Sequence, residues 1–509
     1  MLIGANRPAT LPSRRVAGRW FSAWAQRPRR GYGVGRGGSA GVCFRMGEAY
    51  PPPASPPPRF NLSFILSGTW AYTLAMEHAT PARFLASHEA TAATSFLAAD
   101  FLTALPRGRS ARQLHRQLPP PQAGLLVSVI IPAKNEAANL PATLAALAAQ
   151  TDHAGRPLPP ASFEVIVLAN NCVDATAAVV RQQARRFPHL ALYAAELCLP
   201  PAQAHVGRAR RLLMDAACAR LEHVGRPAGI IASTDADTCV APTWLAALQA
   251  EILVGADAVG GRILTQPTGR AACPVRRLEV RDAAYRVLCA RLEDLLDPAP
   301  ADPWPRHHQH FGASLALTAR AYRRAGGLPE VRFLEDEALW QALRRCDLRL
   351  RHSPAVQVRT SARRQGRVEV GLSWQLREWQ HLSQQQREPQ AENPAYLAAQ
   401  WRVRRQLRAL WADPTAGDCG ALAARLQLPA AALRARVRGT PALGELWEWV
   451  RATSPALPVP LLPLSQALRE LPRLIQRLIQ RHGCSPAAPA GGLSAAPAGR
   501  AGTVRAAAR

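Results

Sequence analysis

LLVSVIIPAKNEAANLPATLAALAAQ, residues 125–150, reads as a buried strand that runs through a polar turn into a helix. Leu125–Ile131 is a continuous apolar run, the pattern of a strand covered on both faces, and such strands belong to parallel sheets. From Glu136 to Gln150 the apolar positions take up a helical period. The alternation then repeats, with strands at Phe163–Leu168, Leu190–Ala194 and Gly229–Ser233 and helices at Asp174–Phe187, Gln203–Leu221 and Pro242–Leu253. This order predicts an α/β domain whose mostly parallel sheet is flanked by helices. Ligands of such sheets sit at the carboxyl ends of the strands, so the chemistry is to be sought there.

Outward from this domain the texture changes. Residues 1–60 are rich in Arg, Gly and Pro (PPPASPPP at 51–58) and are expected to be disordered. Residues 61–123 read as a helical extension ending in the proline run Pro119–Pro121, and residues 124–371 as the α/β domain. Residues 372–484 read as a helical region, and 485–509 as a disordered low-complexity tail. The formal charge of +28 admits nucleic acid, an anionic membrane surface or an acidic substrate as a partner. It is carried by arginine along the whole chain, Lys134 being the sole lysine, which points to compositional bias. Nucleic-acid binding is therefore not expected as the main function. Residues 1–60 hold ten arginines against one acid, Glu48, which fits a transit peptide. A translation start at Met46 or Met76 fits equally well. The ten cysteines stand singly, without zinc-like spacing, as expected of free thiols in a reducing cytoplasm. No run reaches the ~20 apolar residues of a membrane span. The expected location is cytoplasmic, with attachment at the membrane surface left open.

Each strand end carries polar residues with two readings. After the first strand come Pro132, Ala133, Lys134, Asn135 and Glu136: a ligand-holding turn, or a turn in which Asn135 caps the helix. After the second come Asn170 and Asp174, again ligand groups or caps. The fourth strand runs into Ser233-Thr234-Asp235-Ala236-Asp237-Thr238, with two carboxylates spaced by one residue. Carboxylates leaving a buried strand are costly to desolvate, and a hard divalent cation such as Mg²⁺ or Mn²⁺ removes that cost. The acidic run Glu335-Asp336-Glu337 opens a later helix, where the dipole favours it, and one of the three could serve as a general base. Arg208, Arg210 and Arg211 could meet a diphosphate or line a solvated helix face. His307, His308 and His310 are spaced poorly for one ion and read as a loop touching donor sugar or acceptor. Thr360–Arg364 could close over phosphates or lie at the surface.

Together, VSVIIPAKNE, EVIVLANNCVDAT, VGRAR, STDADT, GASLAL and LEDEAL, in this order over residues 125–361, resemble the family 2 glycosyltransferases of the GT-A fold. The resemblance implies a Rossmann-like domain that moves a sugar from a nucleotide diphosphate-sugar to an acceptor hydroxyl with inversion. It places Pro132, Glu136, Asn170 and Asp174 around the nucleotide, with Arg208 beside them. It makes Asp235 and Asp237 the metal-binding pair, and Asp336 the catalytic base. The family's acidic pair is replaced here by Ala169 and Asn170, which leaves the base open between UDP- and GDP-sugars. A metal-binding histidine is expected beyond the acidic triplet. Thr360 stands near that position, and His352, a few residues earlier, is the candidate. The acceptor stays open among a small metabolite, a lipid head group and a glycan. One rival is a sugar-nucleotide pyrophosphorylase, which would need a glycine-rich loop where this chain has PAKNE. The other is a non-catalytic GT-A-like protein docking on anionic lipid or nucleic acid through its basic arms.

Overall fold

The computed structural model describes residues 109–266, 273–366 and 368–482. The segment expected at 1–60, most of the 61–123 extension and the 485–509 tail lie outside the described residues. The strands expected from the sequence form as β1 (Val127–Ala133), β2 (Phe163–Asn170), β3 (Ala191–Leu197) and β4 (Ile230–Ser233). With β5 (Thr238–Val240), β6 (Ala258–Thr265), β7 (Leu315–Thr318) and β8 (Leu350–Thr360) they build one sheet in the order β3-β2-β1-β4-β7-β6-β8-β5. The first four strands are parallel, whereas β7 runs antiparallel between β4 and β6, and β5 antiparallel along β8.

Eight helices accompany this sheet among the described residues: α1 (Arg109–Arg116), α2 (Leu140–Ala148), α3 (Thr176–Arg186), α4 (Val206–His223), α5 (Trp244–Leu253), α6 (Pro274–Leu296), α7 (Ala319–Arg324) and α8 (Glu335–Arg345). Successive residues of a strand face opposite ways, and the two core layers follow that rule. Val127, Val129 and Ile131 of β1 meet Leu140, Leu144, Val180 and Trp244 on one face. Ile130 meets Leu212, Leu213 and Trp340 on the other. Ala111 and Leu114 of α1 join this second layer, so the chain from residue 109 packs as part of the α/β domain. A buried ion pair pins α4 to the sheet. Arg220 donates to Glu164 at 2.8 and 2.5 Å, with the two side chains 1% and 2% exposed.

β6 was hidden in the sequence by Gly260 and Gly261, which dilute the apolar signal. The glycines are required by close approach, because a Cβ at Gly260 would lie 2.3 Å from the Gln309 carbonyl and one at Gly261 2.1 Å from Ser314 Oγ.

The remainder is helical as expected, in α9 (Leu372–Gln384), α10 (Pro394–Ala412), α11 (Cys419–Leu426), α12 (Ala430–Gly439), α13 (Leu443–Thr453) and α14 (Leu464–His482). A short antiparallel ribbon, β9 (Gln390–Glu392) with β10 (Leu461–Pro463), interrupts it. Leu407, Leu422, Leu433 and Leu446 form a separate small core. Tyr285, Leu292 and Leu296 of α6 share another with Ala467 and Leu471 of α14. Arg404 donates to Glu293 at 2.6 Å, and Arg404 and Arg408 both pair with the fully buried Asp297. The helical region is thus fastened to α6 by apolar burial and by charge.

Candidate active site

The loops that leave β1 and β2 are shaped by asparagines in the left-handed region, Asn135 at φ 56° and Asn171 at φ 50°. Asparagine tolerates that conformation better than most residues. Asn135 Oδ1 accepts from the Val173 N–H at 2.8 Å, which ties the two loops together. Asp174 accepts from the Thr176 N–H at 3.0 Å and the Ala137 N–H at 3.1 Å, so it fixes the turn into α3 and clamps the first loop. Burial would raise its carboxyl, but the hydrogen bonds from Thr176 and Ala137 outweigh that and hold it below the usual range. Pro132 lies past the last β1–β4 pair, Ile130 with Ser233, so the N–H it lacks is not missed from that ladder. Asn170, at the end of β2, is buried, and its Oδ1 has no hydrogen-bond partner among the described residues. Such an orphaned oxygen costs ~1–3 kcal/mol, which a ligand N–H would recover.

Glu136 and Asp237 come together under Arg363. The guanidinium donates to the Glu136 carboxylate at 2.9 and 2.5 Å and lies 3.1 Å from Asp237. Ser361 donates its N–H to the Asp237 carbonyl at 3.2 Å, so the segment after β8 is drawn over the acidic pair. Burial, and next to it the charge of Asp235, pushes the Asp237 carboxyl up to about 6, even against Arg363.

Arg210 is the hub beside this pair. Buried at 3% exposure, it donates to Asp235 at 3.1 Å, to Glu335 at 2.9 Å and to the Gly312 carbonyl at 3.0 Å, and also contacts Ser233. Of the three arginines after Gly207, only Arg210 turns to the carboxylates. Arg208 pairs with Glu330, and Arg211 with Asp215. The residue expected beside the nucleotide, Arg208, is therefore engaged elsewhere. Helical spacing alone does not reveal which of three neighbouring arginines points inward.

The acidic triplet divides its tasks. Glu335 faces Arg210, and Glu337 accepts from His310 at 2.7 Å and from Gln341 at 2.6 Å. Among the described residues Asp336 instead accepts from backbone N–H groups alone, Gly312 at 2.7 Å and Glu337 at 2.8 Å, at the positive end of α8. Leu334 enters that helix at φ 59°, a conformation costly for a bulky side chain. Asp336 reaches Asp235 through Gly312 and Arg210.

His352 is not brought to this group. Its Nδ1 lies 2.7 Å from Asp302, and its ring packs 4.9 Å from Trp340. On β8 it pairs with Gly260, five β6 positions from the Thr265–Thr360 pair that flanks the acidic loop. At ~3.3 Å per residue that is about 16 Å of strand. His310 stacks on Trp340 at 4.6 Å, while His307 contacts the Ser353 carbonyl at 3.0 Å. Burial drives His307 down to about 3, so the ring is neutral. Among the described residues no group of three or more His, Cys, Asp and Glu is arranged to hold a metal. Any cation here would rest on Asp235 and Asp237 plus oxygens from a ligand or water.

Residues 128–298 match the model of glycosyl transferase family 2. Among solved structures, the chain is similar to residues 1–349 of TarS from S. aureus at 14% identity, with 64% of this chain and 90% of that one covered and a TM-score of 0.32. It is similar to the mannosyltransferase PcManGT from Pyrobaculum calidifontis, solved with GDP-Man and Mn²⁺, at 20% identity, with 69% and 92% covered and a TM-score of 0.34. No curated protein matches. The family match takes in the β1, β2 and β4 loops and stops short of α8 and Arg363. With the mixed sheet and the acidic pair at the end of β4, it establishes that the chain carries a family 2 glycosyltransferase domain of the GT-A fold.

Proposed function

We propose that this glycosyltransferase moves a sugar from a UDP- or GDP-sugar to an acceptor hydroxyl, with inversion at the anomeric carbon. The observation that carries the reading is the acidic loop at the carboxyl end of β4, with Asp235 on the buried Arg210, Asp237 under Arg363, and Asp336 linked to Arg210 through Gly312. Asp237, a hard oxygen donor crowded by burial and by a second carboxylate, fits a divalent cation. Mg²⁺ or Mn²⁺ held by Asp235 and Asp237 would offset the charge that builds on the departing diphosphate.

The chain's own residues do the rest. Both uracil and guanine carry a ring N–H, and the unpartnered Asn170 Oδ1 would accept it. Asp174 and Asn135 keep the two nucleotide loops in register. Pro132 and Glu136 line the same turn, with Arg363 poised over Glu136 and Asp237. Glu335 and Glu337 are occupied by Arg210 and His310, which leaves Asp336 to take the acceptor's proton. The acceptor oxygen forms its bond to the anomeric carbon as the bond to the diphosphate breaks on the opposite face, hence inversion. No helix among the described residues is long and apolar enough to cross a membrane.

The test is thermal stability of the protein against UDP- and GDP-sugars, with and without Mn²⁺. A shift with one donor that needs the cation and vanishes in Asp237→Ala supports the reading. A folded protein that no donor stabilises would refute it.

A further inference from the structure

Helix α14 carries an arginine at every fourth position, Arg469, Arg473, Arg477 and Arg481, and all four are exposed. At ~1.5 Å per residue the row runs about 18 Å along the helix. The opposite side of α14 is occupied, because Leu464, Ala467, Leu471, Ile475 and Leu478 are buried against α6 and its neighbours. At ~100° per residue the arginine row centres about 140° from that buried row, so packing turns it outward. None of the four pairs with a carboxylate among the described residues. The acid on this face, Glu470, is held by Gln466 at 2.8 Å. Between α14 and the start of α10 lies a cleft of about 500 Å³, where Arg473, Arg477, Gln476 and Gln480 outnumber the one carboxylate in the lining, Glu470, with Leu474, Pro394 and Ala395 as its apolar wall. Tyr396, next in sequence to Ala395, is 48% exposed.

We propose that this row is a docking surface for an anionic phospholipid bilayer, with the cleft receiving a lipid phosphate. Four arginines against the one carboxylate of Glu470 leave a net positive line that attracts an anionic surface, and the cleft supplies guanidinium and amide donors at the size of a headgroup. An exposed tyrosine next in sequence to the cleft's Ala395 suits a boundary that is apolar on one side and wet on the other. A single-stranded nucleic acid would call for several aromatic platforms, and this face shows one aromatic. The apolar side of α14 is already spent on the core, so attachment is electrostatic and reversible, and salt weakens it.

The experiment is co-sedimentation of the full chain with vesicles of phosphatidylglycerol and phosphatidylcholine. The wild type is compared with the Arg469→Gln/Arg473→Gln/Arg477→Gln/Arg481→Gln variant. An equal-charge control replaces the exposed Arg112, Arg185, Arg186 and Arg226 by Gln. Each arginine near an anionic surface contributes roughly fivefold in affinity, so the row variant should bind at least tenfold more weakly while the control stays near wild type. Stabilisation by a sugar nucleotide, measured in parallel, should be the same in all three proteins, which separates this proposal from the sugar-transfer reading. Equal losses in both variants, no loss in the row variant, or capture of a single-stranded oligonucleotide in place of vesicles would overturn it.

Discussion

Asp237→Asn should make the protein more stable while disabling it. A carboxyl raised from 3.8 to about 6 is, when ionised at neutral pH, about 3 kcal/mol less comfortable in the folded chain than in the unfolded one. The sign follows from proton counting. Between pH 3.8 and about 6 the folded chain holds a proton here that the unfolded chain has released. Through this group, stability falls as pH rises across that window and stays lower above it. Asparagine avoids the cost, in which the 3.1 Å contact with Arg363 is already counted. The net expectation is a gain of about 3 kcal/mol at pH 7.5 without metal, read from urea midpoints. In Mn²⁺ at a thousandfold excess over Kd the order should reverse, because binding adds about 4.1 kcal/mol to the wild type and little to the variant. An asparagine variant less stable than wild type without metal, or one that Mn²⁺ stabilises as much, would refute the reasoning.

Other expectations follow from the same geometry. Leu334→Gly relieves a left-handed leucine but loosens the entry to α8, so turnover should fall while the melting temperature changes by only a few degrees. Gly312→Ala would set a Cβ 2.5 Å from the pinned Arg210 guanidinium, and turnover should drop with a stability loss of ~1–3 kcal/mol in denaturant titrations. Glu164→Ala leaves Arg220 buried and unpaired, at a cost of ~3–5 kcal/mol by the same titration. Burial would raise the Glu293 carboxyl, but Arg404 and Arg306 hold it down at about 2. Its contribution is therefore present above the ordinary 4.5, and it is lost as pH falls toward 2. An acid titration of stability should lose that limb in Glu293→Gln.

The parallel half of the sheet was legible because β1 and β2 are buried almost throughout, and such strands are written as unbroken apolar runs. The other half was not. β6 spends two positions on glycine, and β8 alternates faces and carries Arg351, Ser353 and Pro354. The acidic pair and the Asp336 turn were legible from their place after a strand and at the start of a helix. Arg210, Arg363 and the His352–Asp302 pair were not, because side-chain direction and contacts between residues dozens to hundreds of positions apart leave no local pattern. His352 shows the difficulty, since a plausible position in sequence lies several ladder steps away in space.

The central claim is that Asp336 is the base for sugar transfer. The direct measurement is release of UDP or GDP from the donor that stabilises the protein, in Mn²⁺, for wild type and Asp336→Asn, with donor affinity measured alongside. The account predicts turnover lower by ~10²–10⁴-fold in the variant, with donor affinity changed by no more than a few fold. Turnover that survives Asp336→Asn at wild-type donor affinity would contradict it.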